Sequence, residues 1–583
     1  MDRTRDLMTR WPAIDIAARR DRLRGSLRLA PGALAAALRE ASPAAMRAAE
    51  QLWRADPAAW STDAAVQQKI ANRLGWMKSP ALMDGHVDRI VTFADGVKRD
   101  GFTDVVLLGM GGSSLAPEVL RAVLGVSAGW PRFRMLDSTD PAAVRAAATP
   151  PQTTLYLLSS KSGTTIEPNS LAAHFRHRLE QAGVSRWAGH FVAITDADTE
   201  LSRRARAEGF RDVFINPSDI GGRYSALSFV GLVPAALMGH DVADLVGWGL
   251  AMLSASEPAA DASTHPSIAL GLAMAVGARA GRDKLTLIVP PRLEPFGLWV
   301  EQLVAESTGK NGVGVVPIAG EPVGGAAAYG SDRLFVRARL EGADRPASDS
   351  GPLPSNAPVV ELDMPAPAAL AAEFMRWEIA TAVAGALLGI NPFDEPNVQQ
   401  AKDATRTLLD QYKTTHQLPA PAADRARDGE IHLTMSRMAR AQLGNRDPEA
   451  VLSLLHAGDY VALLAYLGPD DAIERSLHAF RSGVRDRTRV ATMFGYGPRY
   501  LHSTGQLHKG GPNTGVFVLI SATPVEDLPI PGEQFSFGTL ERAQALGDFA
   551  SLDQTGRRAL HIHLPSPDPR LLDRILNAVL EKS

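Results

Sequence analysis

The chain has 583 residues, 45% hydrophobic and 21% charged, the profile of an ordinary globular protein with more than one core. A net charge of −3 gives no electrostatic pull toward nucleic acid, and no apolar run is long enough to span a bilayer. The absence of cysteine excludes disulfides, thiolate metal sites and cysteine nucleophiles. The opening MDRTRDLMTRWPAIDIAARR scatters charges where a secretion signal needs an uninterrupted apolar stretch. A cytoplasmic location is therefore expected, with neither nucleic acid nor membrane as partner.

Residues 1–84 read as a helical, Ala/Arg-rich region without strand signal. From 85 onward strands and helices alternate: TDVVLLGM, GGSSLAPEVLRAVL, FRMLDS, TLYLLSS with its helix, HFVAITD and DVFINP. Short apolar strands alternating with helices predict a doubly wound, mostly parallel sheet over 85–250. A second alternating block begins near 284 with KLTLIVPP and continues through VGVVPIAG, RLFVRARL and PVVELDM. Residues 251–583 are read as a second such domain with a C-terminal helical and strand extension that holds GVFVLISA and ALHIHL. The expected class is thus α/β, two doubly wound domains behind a helical segment. The stretches 342–358 and 419–429 read as surface loops. Right-handed crossovers put all βα turns of one parallel sheet at one edge, so the loops at 109–114 and 160–167 should converge on one mouth.

The first of these turns, Gly109-Met110-Gly111-Gly112-Ser113-Ser114, lacks the glycine that a dinucleotide fingerprint needs where Ser114 stands. It offers bare backbone N–H groups and Ser113 to a polar ligand. The second, Ser160-Lys161-Ser162-Gly163-Thr164-Thr165-Ile166-Glu167, leads from an apolar strand into an amphipathic helix. A helix start has unpaired N–H groups and a dipole that favours negative charge, and four hydroxyls in six residues complete an anion site, here read as a phosphate site. In Gly221-Gly222-Arg223-Tyr224-Ser225, two glycines let the backbone approach a ligand beside a permanent planar cation. In FGLWVEQLVAESTGK (296–310), Gln302 and Glu306 share one face of an apolar helix, with Glu301 on the polar face. A carboxylate buried at the negative end of a helix dipole has its pKa pushed upward, which suits a general base working near neutrality. The segment from Asn391 to Lys402 reads as a loop and a helix start. The stretch from Leu501 to Gly511 gathers two histidines, a glutamine and a lysine, with no metal-ligand spacing. His561 and His563 alternate in a strand and read as packing or surface.

Together these segments resemble the glucose-6-phosphate isomerase family, built from two sugar-isomerase (SIS) domains, over about residues 85 to 580. The likeness is strongest to the isomerase portion of transaldolase/phosphoglucose isomerase fusions, with no transaldolase activity expected. The resemblance implies that Ser160, Lys161, Ser162 and Thr165 hold a phosphate while Gly112 and Ser113 close over the sugar. Glu306 would move a proton between C2 and C1, and Arg223 would stabilise the enediolate. His502 and Lys402 would open the sugar ring, Gln302 would contact the sugar or its phosphate, and Glu167 would orient the histidine. A homodimer is implied as well. In the shorter enzymes of the family the histidine loop precedes the lysine loop, whereas here His502 follows Lys402, as in the fusion-type proteins.

The chemistry fits these residue types in its own right. Aldose–ketose exchange needs a base beside a carbon acid and a cation at the oxygen that gains charge. A phosphate grip supplies the remote binding energy. Neither metal nor redox cofactor is called for, because the proton returns to the neighbouring carbon. The alternatives are a non-catalytic sugar-phosphate sensor and an isomerase of a related substrate such as mannose 6-phosphate or an aminosugar phosphate. The Thr308 hydroxyl, near Glu306, is a candidate to bear on that choice of substrate.

Overall fold

Asp15 accepts from the Ala18 amide and caps the first described helix, Ile16–Arg24. The computed structural model describes residues 15–258, 261–342, 353–419, 421–427 and 431–582. Most of the loop expected at 342–358, part of that at 419–429, and the charged residues 1–14 therefore lie outside the described residues. Between the first helix and the long helix Ala35–Trp53 runs β1 (Leu27–Ala30), so the region read as wholly helical contains a strand. Only Leu27 of its four residues is buried, too short a pattern to stand out between two helices.

The first sheet comprises β2 (Asp104–Leu108), β3 (Arg132–Leu136), β4 (Thr154–Ser159), β5 (Phe191–Asp196) and β6 (Asp212–Asn216), in the order β3-β2-β4-β5-β6. Every pairing is parallel. Both β2 and β4 are buried at each position, as continuous apolar runs covered on two faces should be. One face, with Val105, Leu107, Leu155 and Leu157, shares a core with the N-terminal helices and the second sheet. The other, with Val106, Leu108, Tyr156 and Leu158, packs on Leu171, Phe175, Leu409 and Leu540. These last four stand on the helices Ile166–Gln181, Val398–Thr415 and Phe537–Gln554. Two helices from far along the chain are thereby seated over the first sheet.

The second sheet joins β7 (Lys284–Ile288), β8 (Val316–Ile318), β9 (Arg333–Leu340) and β10 (Val359–Met364), with β1 antiparallel on the β10 edge. A third sheet follows: β11 (Arg425–Arg427), β12 (Ile431–Met435), β13 (Tyr460–Tyr466), β14 (Ala491–Tyr496), β15 (Gly515–Ala522) and β16 (Arg558–Leu564). Its order is β11-β12-β16-β15-β13-β14, parallel from β16 to β14. Residues 251–583 thus carry two sheets, and the strands read as an extension are central in the second of them. Short apolar runs such as YVALLAY do not by themselves distinguish a buried strand from a buried helix.

The second and third sheets meet at a buried polar seam. Glu321, just after β8, accepts from the Thr492 amide and hydroxyl at 2.8 and 2.9 Å. Arg481 donates to the carbonyls of Ala319, Gly320 and Thr492. No described helix is long and apolar enough to cross a membrane.

Candidate active site

The turn after β4 is set by Gly163, whose φ of +72° and tight seat exclude a side chain. A Cβ there would lie 2.8 Å from both the Cβ and the amide nitrogen of Leu201. Ser160 Oγ accepts from the Gly163 amide at 3.1 Å and meets Thr165 Oγ1 at 3.2 Å. Ser162 Oγ accepts from the Thr164 amide and hydroxyl at 3.3 and 3.1 Å. Thr165 is the N-cap of the helix Ile166–Gln181, yet its side chain makes no capping bond. The hydroxyls are therefore arranged around the turn rather than spent on the helix end. Lys161 is committed differently: its ammonium pairs with Asp196 and donates to the Ser218 carbonyl at 3.0 Å. It braces the turn against β5 while lining the same cavity.

The glycine loop after β2 packs backbone to backbone on the arginine turn. A Cβ on Gly112 would stand 2.3 Å from the Gly222 carbonyl carbon, and one on Gly111 would stand 2.5 Å from the His502 carbonyl oxygen. These contacts explain why the loop is glycine-rich without a dinucleotide role. Behind it, Arg223 is buried and fully engaged. Nε donates to Ser307 at 2.8 Å, and Nη2 donates to the carbonyls of Pro392 and Asp394 at 2.8 and 3.0 Å. Nη1 donates to Glu395 at 3.0 Å and lies 3.3 Å from Glu306.

Glu306 sits in the last turn of the helix Glu294–Thr308, only 9% exposed. Burial pushes its carboxyl up to about 7, opposed by the Arg223 cation and assisted by the Glu395 charge. Gln302, one turn earlier, donates its amide to Glu306 at 3.3 Å and to the His502 carbonyl at 2.6 Å, tying the glutamate to the histidine turn. Two expectations about this helix are corrected. Glu301 does not face solvent: it is 5% exposed, and burial raises its carboxyl to about 8. The Ala319 backbone after β8 and the Arg481 guanidinium lie against it where solvent was expected. Thr308 turns its hydroxyl to the Val304 carbonyl at 2.8 Å and accepts from the Val315 amide at 2.9 Å, so it does not line the cavity.

His502 Nε2 meets the Glu167 carboxylate at 3.0 Å. Burial alone would raise Glu167, but the imidazole beside it outweighs burial and holds it below the ordinary carboxylate value. The turn carrying His502 is anchored by Arg499, which clasps Asp137 through two bonds of 2.7 and 2.8 Å. Lys402, on the first turns of the helix Val398–Thr415, is exposed and reaches the same mouth.

Eleven of the residues singled out by sequence meet in one cavity of about 480 Å³: Gly112, Ser113, Ser160, Lys161, Ser162, Thr165, Arg223, Gln302, Glu306, Lys402 and His502. That volume is in the range of small-molecule sites. A neighbouring groove of about 660 Å³ shares Ser162, Thr165, Lys402 and His502 with it. Sequence reasoning missed Arg73, Asp196 and Glu395, which also line the cavity. Arg73 comes from the N-terminal helical region and carries no motif; Glu395 was read only as part of a loop. Among the described residues, no group of three or more His, Asp or Glu side chains could hold a metal ion. His561 and His563 both bond the Ser521 hydroxyl, at 2.8 and 2.9 Å.

A family model for phosphoglucose isomerase matches residues 83–316. The glucose-6-phosphate isomerase of Parasynechococcus marenigrum is 35% identical over 259 residues, covering 40% of this chain and 46% of that one. That of Rubrobacter xylanophilus is 28% identical over 396 residues, covering 59% of this chain and 90% of that one. The chain spans about half the length of several curated relatives it matches, 46% for the Parasynechococcus protein and 48% for one from Synechococcus. Among solved structures, the hypothetical protein TT0462 from Thermus thermophilus superposes with a TM-score of 0.53 at 26% identity, covering 65% of this chain and 99% of that one. A glucose-6-phosphate isomerase from Chlamydia trachomatis shares the fold, with a TM-score of 0.51 at 18% identity, covering 72% of this chain and 96% of that one. The matched residues 83–316 contain the phosphate-type turn, Arg223 and Glu306, so the likeness to phosphoglucose isomerases falls on the residues that line the cavity.

Proposed function

We propose that this protein interconverts glucose 6-phosphate and fructose 6-phosphate through an enediol intermediate. The Glu306 carboxylate takes the proton from C2 of the open aldose as the C1 carbonyl gains negative charge. Arg223, 3.3 Å from that carboxylate, supplies the positive field for the developing oxyanion. Returning the proton to C1, while the O2 proton is given up and O1 takes one, gives the ketose with C2=O and O1–H, so no electrons leave the sugar. Ser160, Ser162 and Thr165 hold the phosphate and thereby fix C1 and C2 against the base. His502 and Lys402 exchange the proton between O5 and O1 that opens the ring.

One observation carries this reading. A carboxylate with its affinity for protons raised to about 7 lies in the same cavity as a hydroxyl-lined helix start. A binding protein has no use for such a base. The family resemblance also supports a homodimer working in the cytoplasm, in glycolysis and gluconeogenesis. The test is a coupled assay with fructose 6-phosphate in the presence of a chelator. Undiminished turnover supports the reading; no turnover, or turnover abolished by chelation, overturns it.

A further inference from the structure

Gln544 stands on the helix Phe537–Gln554, which supplies none of the residues assigned to the chemistry above. Its amide nitrogen donates to Glu167 Oε1 at 2.7 Å, the same oxygen that meets His502 Nε2 at 3.0 Å. Its amide oxygen accepts from the Thr139 hydroxyl at 2.8 Å. All three are buried, with exposures of 2% for Gln544, 3% for Glu167 and 0% for Thr139.

The order of donors and acceptors is fixed by this chain. An ionised Glu167 only accepts, so the amide nitrogen must face it, and the oxygen then faces a hydroxyl able to donate. A flipped amide would set two oxygens against each other in a buried place and leave Thr139 without its acceptor. With the carboxylate anchored on one side, His502 must bring an N–H to it from the other. That proton sits on Nε2 and leaves Nδ1 as the nitrogen free to exchange with a ligand. The same helix also sets the neighbouring element. Gly547 approaches so closely that a Cβ there would lie 2.8 Å from Thr405 Oγ1. Thr405 is one helical turn from Lys402.

We propose that Gln544, oriented by Thr139, is a positioning residue for His502: it pins Glu167 so that the imidazole keeps its Nε2 proton there and presents Nδ1 to the sugar oxygens. The inference rests on the isomerase reading above. The two are tested separately, because wild-type turnover of fructose 6-phosphate decides that reading before any variant is made. Given an active wild type, Gln544→Met should lower kcat about tenfold with KM within about twofold, as expected when an orienting partner is lost. In a His502→Ala background the same change should cost nothing further, since coupled residues are non-additive. A kcat equal to the wild type, or an undiminished loss in the His502→Ala background, overturns the proposal. Thr139→Val keeps the side-chain shape and removes only the donor. It should give a partial loss of kcat at constant KM, and it decides the matter if Gln544→Met does not fold. An unchanged kcat in Thr139→Val then counts against Gln544.

Discussion

Glu306 and Glu395 share a single guanidinium: Arg223 Nη1 lies 3.3 Å from the first carboxylate and 3.0 Å from the second. The two are not equivalent. Glu306 is only 9% exposed, whereas the Glu395 side chain is 47% exposed on the loop that leads to Lys402. Burial pulls Glu395 upward too, but Arg223 and Lys310 outweigh it and hold it below the ordinary value. The shared cation therefore leaves one carboxylate ionised and the other titrating near neutrality.

Removing the base without removing its shape separates chemistry from binding. Glu306→Gln should reduce kcat by about 10²–10⁴-fold or more, the usual contribution of a positioned acid–base group. Sugar-phosphate affinity, read by calorimetry or ligand-induced melting, should stay within a few-fold. Equal loss of turnover and binding would assign Glu306 a structural role.

The pH dependence follows from the direction of the Glu306 shift. Only its ionised form takes a proton, so kcat/KM should fall on the acid side with a midpoint near its value of about 7. The Glu395 charge is one cause of that upward shift. Glu395→Gln removes it, makes Glu306 easier to ionise, and should move the acid limb to lower pH. A limb that stays in place would show that the second carboxylate does not act on the first.

The phosphate assignment is tested at the turn itself. Ser162→Ala and Thr165→Ala each delete one hydroxyl that would bond a charged group, an interaction of about 1.5–3 kcal/mol. KM for fructose 6-phosphate should rise about tenfold or more for each, with kcat less affected. An unchanged KM in the double variant would remove the turn from the phosphate site.

What the sequence made legible was local. The 160–167 turn is a strand, a loop and a helix start in consecutive residues, and Gln302 and Glu306 declare their common face by a spacing of four. The doubly wound pattern of 85–250 is legible for the same reason, since each βα unit is contiguous. What escaped depends on distant pairing. Leu27 finds its partner at Leu362, a registry that no four-residue window announces. Arg73 and Gln544 reach the site only because the N-terminal helices and the helix Phe537–Gln554 pack on the first sheet. Glu301 was misread because its own helix says which residues share a face, not what will cover that face.

Glu301 supplies a test of the fold rather than the chemistry. Its carboxyl is buried beside the Ala319 backbone and Arg481, and burial raises it to about 8, with Arg481 opposing. In the unfolded chain it ionises near 4.5, so between there and about 8 the unfolded state sheds a proton that the folded state retains. The unfolded state then binds fewer protons, and stability falls as pH rises through that window. Glu301→Gln keeps the shape and removes the titration. The variant should melt above the wild type at pH 9, and the difference should shrink strongly toward pH 5, where the unfolded chain begins to regain the proton that the folded carboxyl still holds. A melting-temperature difference that is the same at both pH values would mean that the carboxyl is ionised and paired in the folded protein, most directly by Arg481.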